Sequence, residues 1–268
     1  MEDDRAVELY AAFRRNYRDK RVTTIVSSPD LSGGEVMPAI TLLMYHQTVS
    51  DALRELSNST NDFRRWINML AAWAPIYDAC DQDEQLSLLC EHISPFSALA
   101  LGAPQALKGR MMYAAATACA HANYQLSPTI PGLQWNGSGN LSMRVASPIG
   151  QPWTNWRRLA PILGELGYGQ ISEETDDYRN QREHGHPRNV GIGMTTFVSV
   201  EDHAEGRTLG LGSKEAISLE TVIKVAIDQH AVVVRAYEAL CEGAIRRTYV
   251  RRSRQHQPMK PSSCYDSA

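Results

Sequence analysis

Cysteine is sparse and scattered: five residues, Cys80, Cys90, Cys119, Cys241 and Cys264, occur in 268 positions and never as a C-x-x-C pair. This excludes a disulfide framework and a zinc knuckle and fits a reducing compartment. Strong charge of either sign is also lacking. A net charge of -3 argues against a protein that coats nucleic acid non-specifically, while leaving room for a local basic patch. Apolar runs such as Met111 to Ala120 are too short for a bilayer span, and MEDDRAVELY has neither the basic nor the apolar region of a secretion signal. Internal repeats, sustained heptads and an alternating βα rhythm are absent, which removes solenoids, coiled coils and parallel sheets. The expectation is a soluble, cytoplasmic chain with no membrane partner.

What the chain does have is helical periodicity. At 43% hydrophobic residues it can bury a core, and residues 1–250 read as a single helical domain. An N-terminal arm helix at about 2–20 places Val7, Tyr10, Ala11 and Tyr17 at helical spacing among charges of both signs. SSPDLSGGEVMP at 27–38 is turn chemistry. A helix over about 39–56 carries Ile40, Leu43, Met44, Val49, Leu53 and Leu56. SNSTND then offers a stop and a fresh N-cap for a third helix, with Phe63, Trp66, Ile67, Leu70, Ala74 and Tyr77 on one face and a kink at Pro75. A short helix near 84–93 and an alanine- and methionine-rich one near 96–124 follow.

From 127 to 152 four prolines and four glycines replace that pattern, so a long loop is expected. A helix around 153–166 interrupted by Pro161 comes next, and a short one runs from about Ser172 to Gly185. Alternation around Thr195 to Val200 predicts a small β-hairpin turning at 204–206. The last helix starts at Ser218 as N-cap and reaches about Tyr249, with Ile223, Ile227, Val234, Tyr237, Leu240, Cys241 and Ile245 on one stripe. Residues 251–268 read as a basic, disordered tail. The fold class is therefore all-α: an up-and-down helical bundle with a small β-hairpin decoration.

One short segment stands apart. DDYRNQREHGHPRN, residues 176–189, holds Arg179, Arg182, Arg188, His184 and His186. Pro187 biases His186 away from helical dihedrals, so the cluster sits on a last turn. On ideal geometry Arg179 and His184 lie about 140° apart around the helix axis, able to reach a cleft from two sides. The ordinary explanation is an Arg179–Glu183 pair with His184 complementing the helix dipole. Against it stands the longer pattern: Tyr-Arg-Asn, a histidine five places after the arginine, a proline-arginine pair, then a glycine-rich extended stretch.

In an all-α setting that pattern resembles the HEPN superfamily of nucleotide-binding and RNA-cleaving helical bundles. Their signature is an arginine, often followed by a small polar residue, with a histidine after four to six intervening positions. Arg179, Asn180 and His184 occupy those positions, and His186 satisfies the six-residue spacing. The likeness covers about eight residues. A toxin branch of that superfamily has a tyrosine two places after the histidine, where this chain has His186, so the departure speaks against that branch.

The resemblance implies a metal-independent endoribonuclease acting as a homodimer on RNA, in a toxin or antiviral defence role that also admits an inhibitory protein partner. It calls for no cofactor and no metal. His184 would be the general acid or base, Arg179 the phosphate clamp and Asn180 an orienting group, with Arg182, His186 and Arg188 contacting substrate. The alternative is a non-catalytic helical module that binds nucleotide, RNA or a protein partner. Other constellations carry less. Gly137-Ser138-Gly139 has the wrong spacing for a nucleophile elbow, and Gly206 to Lys214 does not make a P-loop. His184, His186 and His203 lack the partners of a zinc site. His46, His92, His121 and His230 fall within helical patterns as core or boundary residues, and Trp66 and Trp73 read as core packing.

Overall fold

Three long helices dominate the chain: two keep their apolar residues mainly to one side, and the middle one is apolar nearly all round. The computed structural model describes residues 3–21, 24–31, 40–126, 135, 140–203 and 206–255. In order it contains α1 (Asp3–Lys20), α2 (Ile40–Tyr77), α3 (Gln82–Leu88), a π-helical turn (Leu89–Ile93), α4 (Ser94–Leu126), α5 (Met143–Gly150), α6 (Thr154–Glu165), α7 (Gln170–Thr175), α8 (Tyr178–His184), β1 (Met194–His203), β2 (Gly206–Glu215) and α9 (Leu219–Gln255). The fold is all-α with one antiparallel two-stranded hairpin, as expected.

α2 runs through SNSTND without the expected break. Ser57 turns its hydroxyl back onto the Arg54 carbonyl at 2.8 Å, and Leu56 and Phe63 continue one buried stripe across the stretch. Asn61 acts at long range: its Oδ1 accepts from the Ile25 and Val26 amides at 2.8 and 3.1 Å, and its Nδ2 donates to the Val26 carbonyl at 2.9 Å. Asn68 Nδ2 donates to the Lys20 carbonyl at 2.7 Å, and Asn16 Nδ2 to that of Ala72 at 3.1 Å. Asn61, which looks like helix punctuation, thus fastens the chain just beyond the N-terminal arm, while Asn16 and Asn68 fasten the arm itself, satisfying main-chain groups.

These contacts also set direction. Asn16 meets Ala72 while Asn61 meets Val26, so α1 is antiparallel to α2. The imidazole of His230 lies against the Thr60 carbonyl and Tyr237 donates to that of Leu53, so α9 is antiparallel to α2 as well. Arg158–Glu242 and Arg235–Glu165 pairs make α6 antiparallel to α9. The core lies between α2, α4 and α9, where Leu53, Phe63, Ile67, Leu70, Met111, Val222, Val225 and Val233 are almost fully buried. By length and composition the Gln82–Tyr124 stretch could cross a bilayer, and 44% of its most apolar window is buried inside the bundle.

Several elements differ from expectation. α5 forms within the proline- and glycine-rich stretch, while residues 127–134 and 136–139 lie outside the described residues. On α1 the core takes Leu9 and Phe13, leaving Val7 and Tyr10 exposed. On α9 the buried face is Val222, Val225, Ala226, Val233, Ala236, Tyr237 and Leu240, whereas Ile227 is exposed. Nearly every turn of α9 has apolar residues on adjoining positions, so periodicity alone places the stripe one position off. Ser218 caps α9 as expected, its Oγ accepting from the Thr221 amide at 3.0 Å. The helix continues to Gln255, five residues into the supposed tail; 256–268 lie outside the described residues.

Candidate functional site

The helix expected from Ser172 to Gly185 is two helices. α7 stops at Thr175, and both Asp176 (φ 57°) and Asp177 (φ 50°) adopt the left-handed conformation before α8 begins. Aspartate is among the few non-glycine residues that enter this region routinely, and two in succession re-aim the chain. Lys214 of β2 pairs with Asp176, and Lys224 of α9 holds Glu174 at 3.2 Å. Hydrogen bonding from Gln170, then from Lys224, keeps the Glu174 carboxyl below the usual glutamate range. Two basic residues from later elements therefore steady the acidic turn.

Anchors on either side fix α8 to the bundle. Tyr178, its first residue, is buried, and desolvation raises its phenol pKa despite the opposing charge of Arg182 nearby. Beyond the cluster Val190 is buried, and Gly191 (φ +79°) lies so close to the core that a Cβ there would stand 2.7 Å from the Tyr77 hydroxyl and 2.8 Å from Leu89. Only glycine fits this approach at that φ. The Gly191 amide donates to the Ile217 carbonyl, and the Ile217 amide to that of Asn189, both at 2.8 Å. Residues 179–189 are thus a short polar outcrop pinned at both ends.

On that outcrop Asn180, Arg182, His184 and His186 are exposed, and Arg179 is partly so. Arg179 Nη2 lies 3.0 Å from Glu183 Oε2, the i,i+4 pair of the ordinary explanation. His184 is the last residue of α8, beside the helix C-terminus that Gly185 closes by donating its amide to Gln181 at 2.8 Å. Arg188 turns inward instead. Its Nε and Nη2 donate to the Glu215 carbonyl at 3.0 and 2.7 Å, and Nη1 reaches the Glu174 carbonyl at 3.5 Å. One guanidinium thereby links the end of α7 to the end of β2.

The cluster lines none of three prominent concavities. One lies between α2, α4, α6 and α9 and is apolar; a second, of about 450 Å³, lies between the α6–α7 turn and α9. The third, of about 530 Å³, lies on the face of α1 and α2 and is lined by arginines and aromatic rings. Sequence reading passed over this last group, although Tyr10, Arg14, Tyr17, Arg18 and Arg21 stand at helical spacing. Among the described residues no group of three or more His, Cys, Asp or Glu gathers to hold a metal ion, and the His203 side chain lies outside them.

Three of the four helical histidines, His46, His92 and His230, are boundary or core groups. His92 stacks on Trp73 at 4.7 Å, and His46 Nε2 is within 2.5 Å of the Leu31 carbonyl. His230 is buried edge-on to Phe63; desolvation, reinforced by the charge of Arg64 and opposed by its bond to Thr60, lowers its pKa to about 4. His121 is exposed. Comparison of the chain with protein-family models, with curated proteins and with solved structures finds no match.

Proposed function

We propose that the 179–186 outcrop is the working edge of a metal-independent endoribonuclease. The observation that supports this most is that Arg179 and His184 stand together on one short, solvent-facing helix whose two ends are tied to the core. A fixed guanidinium and a reachable imidazole are the two groups that transesterification of RNA needs.

One imidazole takes the proton of the ribose 2'-hydroxyl. The 2'-oxygen then attacks phosphorus, the bond to the 5'-oxygen breaks, and an acid returns a proton to that oxygen. The products are a 2',3'-cyclic phosphate and a 5'-hydroxyl end. Arg179 clamps the phosphate oxygens as negative charge builds, after exchanging Glu183 for the substrate. Asn180 orients, and Arg182 and His186 follow the strand. Base and acid act on opposite sides of the phosphate, so two copies of the outcrop in a homodimer supply both from His184. Arg188 contributes by holding the outcrop in place, because its donors are turned to main-chain carbonyls.

The decisive experiment incubates the purified protein with RNA in EDTA beside His184→Ala. Cleavage by the wild type alone supports the reading; identical behaviour of the two proteins removes it. A toxin or antiviral role, with an inhibitory partner, remains part of this proposal. The second reading, a non-catalytic module that binds nucleotide, RNA or protein, draws on the closed Arg179–Glu183 pair. Sedimentation at micromolar concentration separates them further, since a strict monomer has no composite cleft.

A further inference from the structure

α1 is not merely an arm. Tyr10, Arg14, Tyr17 and Arg18 recur at intervals of four, three and one residues, which puts them on one side of α1, Arg21 follows three places on, just past the helix end, and Arg65 of α2 lines the same concavity of about 530 Å³. That volume is in the range of a nucleotide-sized site. Arg65 is paired with Asp62 at 2.6 Å, whereas Arg14, Arg18 and Arg21 make no ion pair among the described residues. Complementing the helix dipole accounts for basic residues in the last turn of α1, but not for Arg14, a full turn earlier.

The aromatic rings add a second, independent feature. Tyr17 stacks on Phe13 at 5.5 Å with 15° between planes, and Phe13 on Trp73 at 4.4 Å and 11°. Tyr17 is thus the outer, partly exposed ring of a column rooted in the core, and Tyr10 beside it is 48% exposed. Planar rings held flat by a rigid column, bordered by unpaired guanidiniums, match a ligand that alternates flat bases with phosphates. An acidic peptide would use the charge and leave the rings idle.

We infer that the α1–α2 concavity is a second RNA-binding site, which holds a single-stranded stretch of the substrate by base stacking on Tyr17 and Tyr10 and phosphate contacts to Arg14, Arg18 and Arg21. The choice of RNA rests on the ribonuclease reading; the stacking and charge geometry do not. The site tethers substrate away from the outcrop, so it governs KM more than kcat.

The test uses the full chain and a fluorescein-labelled 2'-O-methyl RNA hexamer, which cannot be cut, with binding read by anisotropy over a series of salt concentrations. Arg14→Glu with Arg18→Glu is expected to weaken binding at least tenfold and to flatten the slope of log K against log salt by about 1.4, or about 0.7 for each lost phosphate contact. Tyr10→Ala, a change at an exposed ring, is expected to cost about fivefold or more with the slope unchanged. Arg14→Lys with Arg18→Lys keeps the slope.

Wild-type affinity and slope in the charge-reversed protein, with its melting curve intact, overturn the site; if that protein does not fold, wild-type affinity in Tyr10→Ala does so instead. Labelled ATP binding as tightly as the hexamer overturns the strand assignment in favour of a mononucleotide. Protein that binds the hexamer here but never cuts RNA removes the ribonuclease and leaves this site standing. Protein that cuts RNA with an unchanged KM after charge reversal removes only this site.

Discussion

The α2–α4–α9 core and the 179–189 outcrop hold themselves together by different means. In the core, neighbouring helices share hydrocarbon: Phe63, Leu70, Met111, Val222 and Val233 have almost no contact with solvent. In the outcrop, two buried anchors and a set of polar ties do the work, among them Arg188 on two carbonyls and Lys214 on Asp176. Burial is non-directional and tolerates small shifts, while polar ties specify where a backbone sits. The candidate catalytic groups therefore ride on a part whose position is set mainly by hydrogen bonds between two buried anchors.

Single substitutions in each region test that contrast. His184→Ala is expected to lower kcat/KM for RNA by about 100-fold to 10,000-fold, with the thermal melt unmoved. A melt that falls together with activity breaks the separation between the two regions. Phe63→Ala is expected to do the reverse in urea titrations, costing about 3–5 kcal/mol of stability through the cavity it leaves, while the remaining folded protein keeps its specific activity.

Acid stability gives an intermediate effect within the core. The folded pKa of His230 is about 4, below the ordinary histidine value of 6.5. The unfolded chain therefore takes up this proton first as pH falls. Its contribution is fully present above about pH 6.5 and is lost between there and about pH 4. The stability of wild type relative to His230→Leu, from urea titrations, is expected to fall by about 2 kcal/mol between pH 7 and pH 4.5. A constant gap contradicts the burial argument.

Smaller effects probe the ties. Asn61→Ala removes three bonds to residues 25 and 26, and is expected to cost about 1–2 kcal/mol and to open the 24–31 segment to limited proteolysis. Glu183→Gln is expected to change stability by less than about 0.5 kcal/mol, since the pair with Arg179 is largely exposed. It should also lower KM for RNA by freeing the guanidinium; an unchanged KM argues that Arg179 does not meet the phosphate.

Much of the fold was legible because long apolar-rich stretches announce themselves: the helical spans of α4 and α9 and the hairpin were expected, whereas α2 was read as two helices. The misses have a common physical origin in residues with two uses. Ser57 and Asn61 are good helix stops by local chemistry, yet their side chains serve the same helix and a strand of chain 35 residues away. Asp176 and Asp177 belong to a residue type that tolerates left-handed dihedrals, yet nothing in the flanking pattern separates them from a continuous helix. Of the candidate site, residue types and the Arg179–Glu183 pairing could be read from spacing. The role of Arg188 could not, because its carbonyl partners lie 27 and 14 positions away and offer no side-chain signal.

The asparagine fastening of the arm has one further consequence, for how the molecule ages. Amide side chains hydrolyse slowly, and the product is a carboxylate that can only accept. At Asn61 or Asn68 that change sets an anionic oxygen against the carbonyl of Val26 or Lys20, turning a fastener into a repulsion. Molecules in which either amide has been lost should therefore loosen their hold on the end of α1 or on the chain just beyond it, with one unit of extra negative charge as the mark of those that have let go.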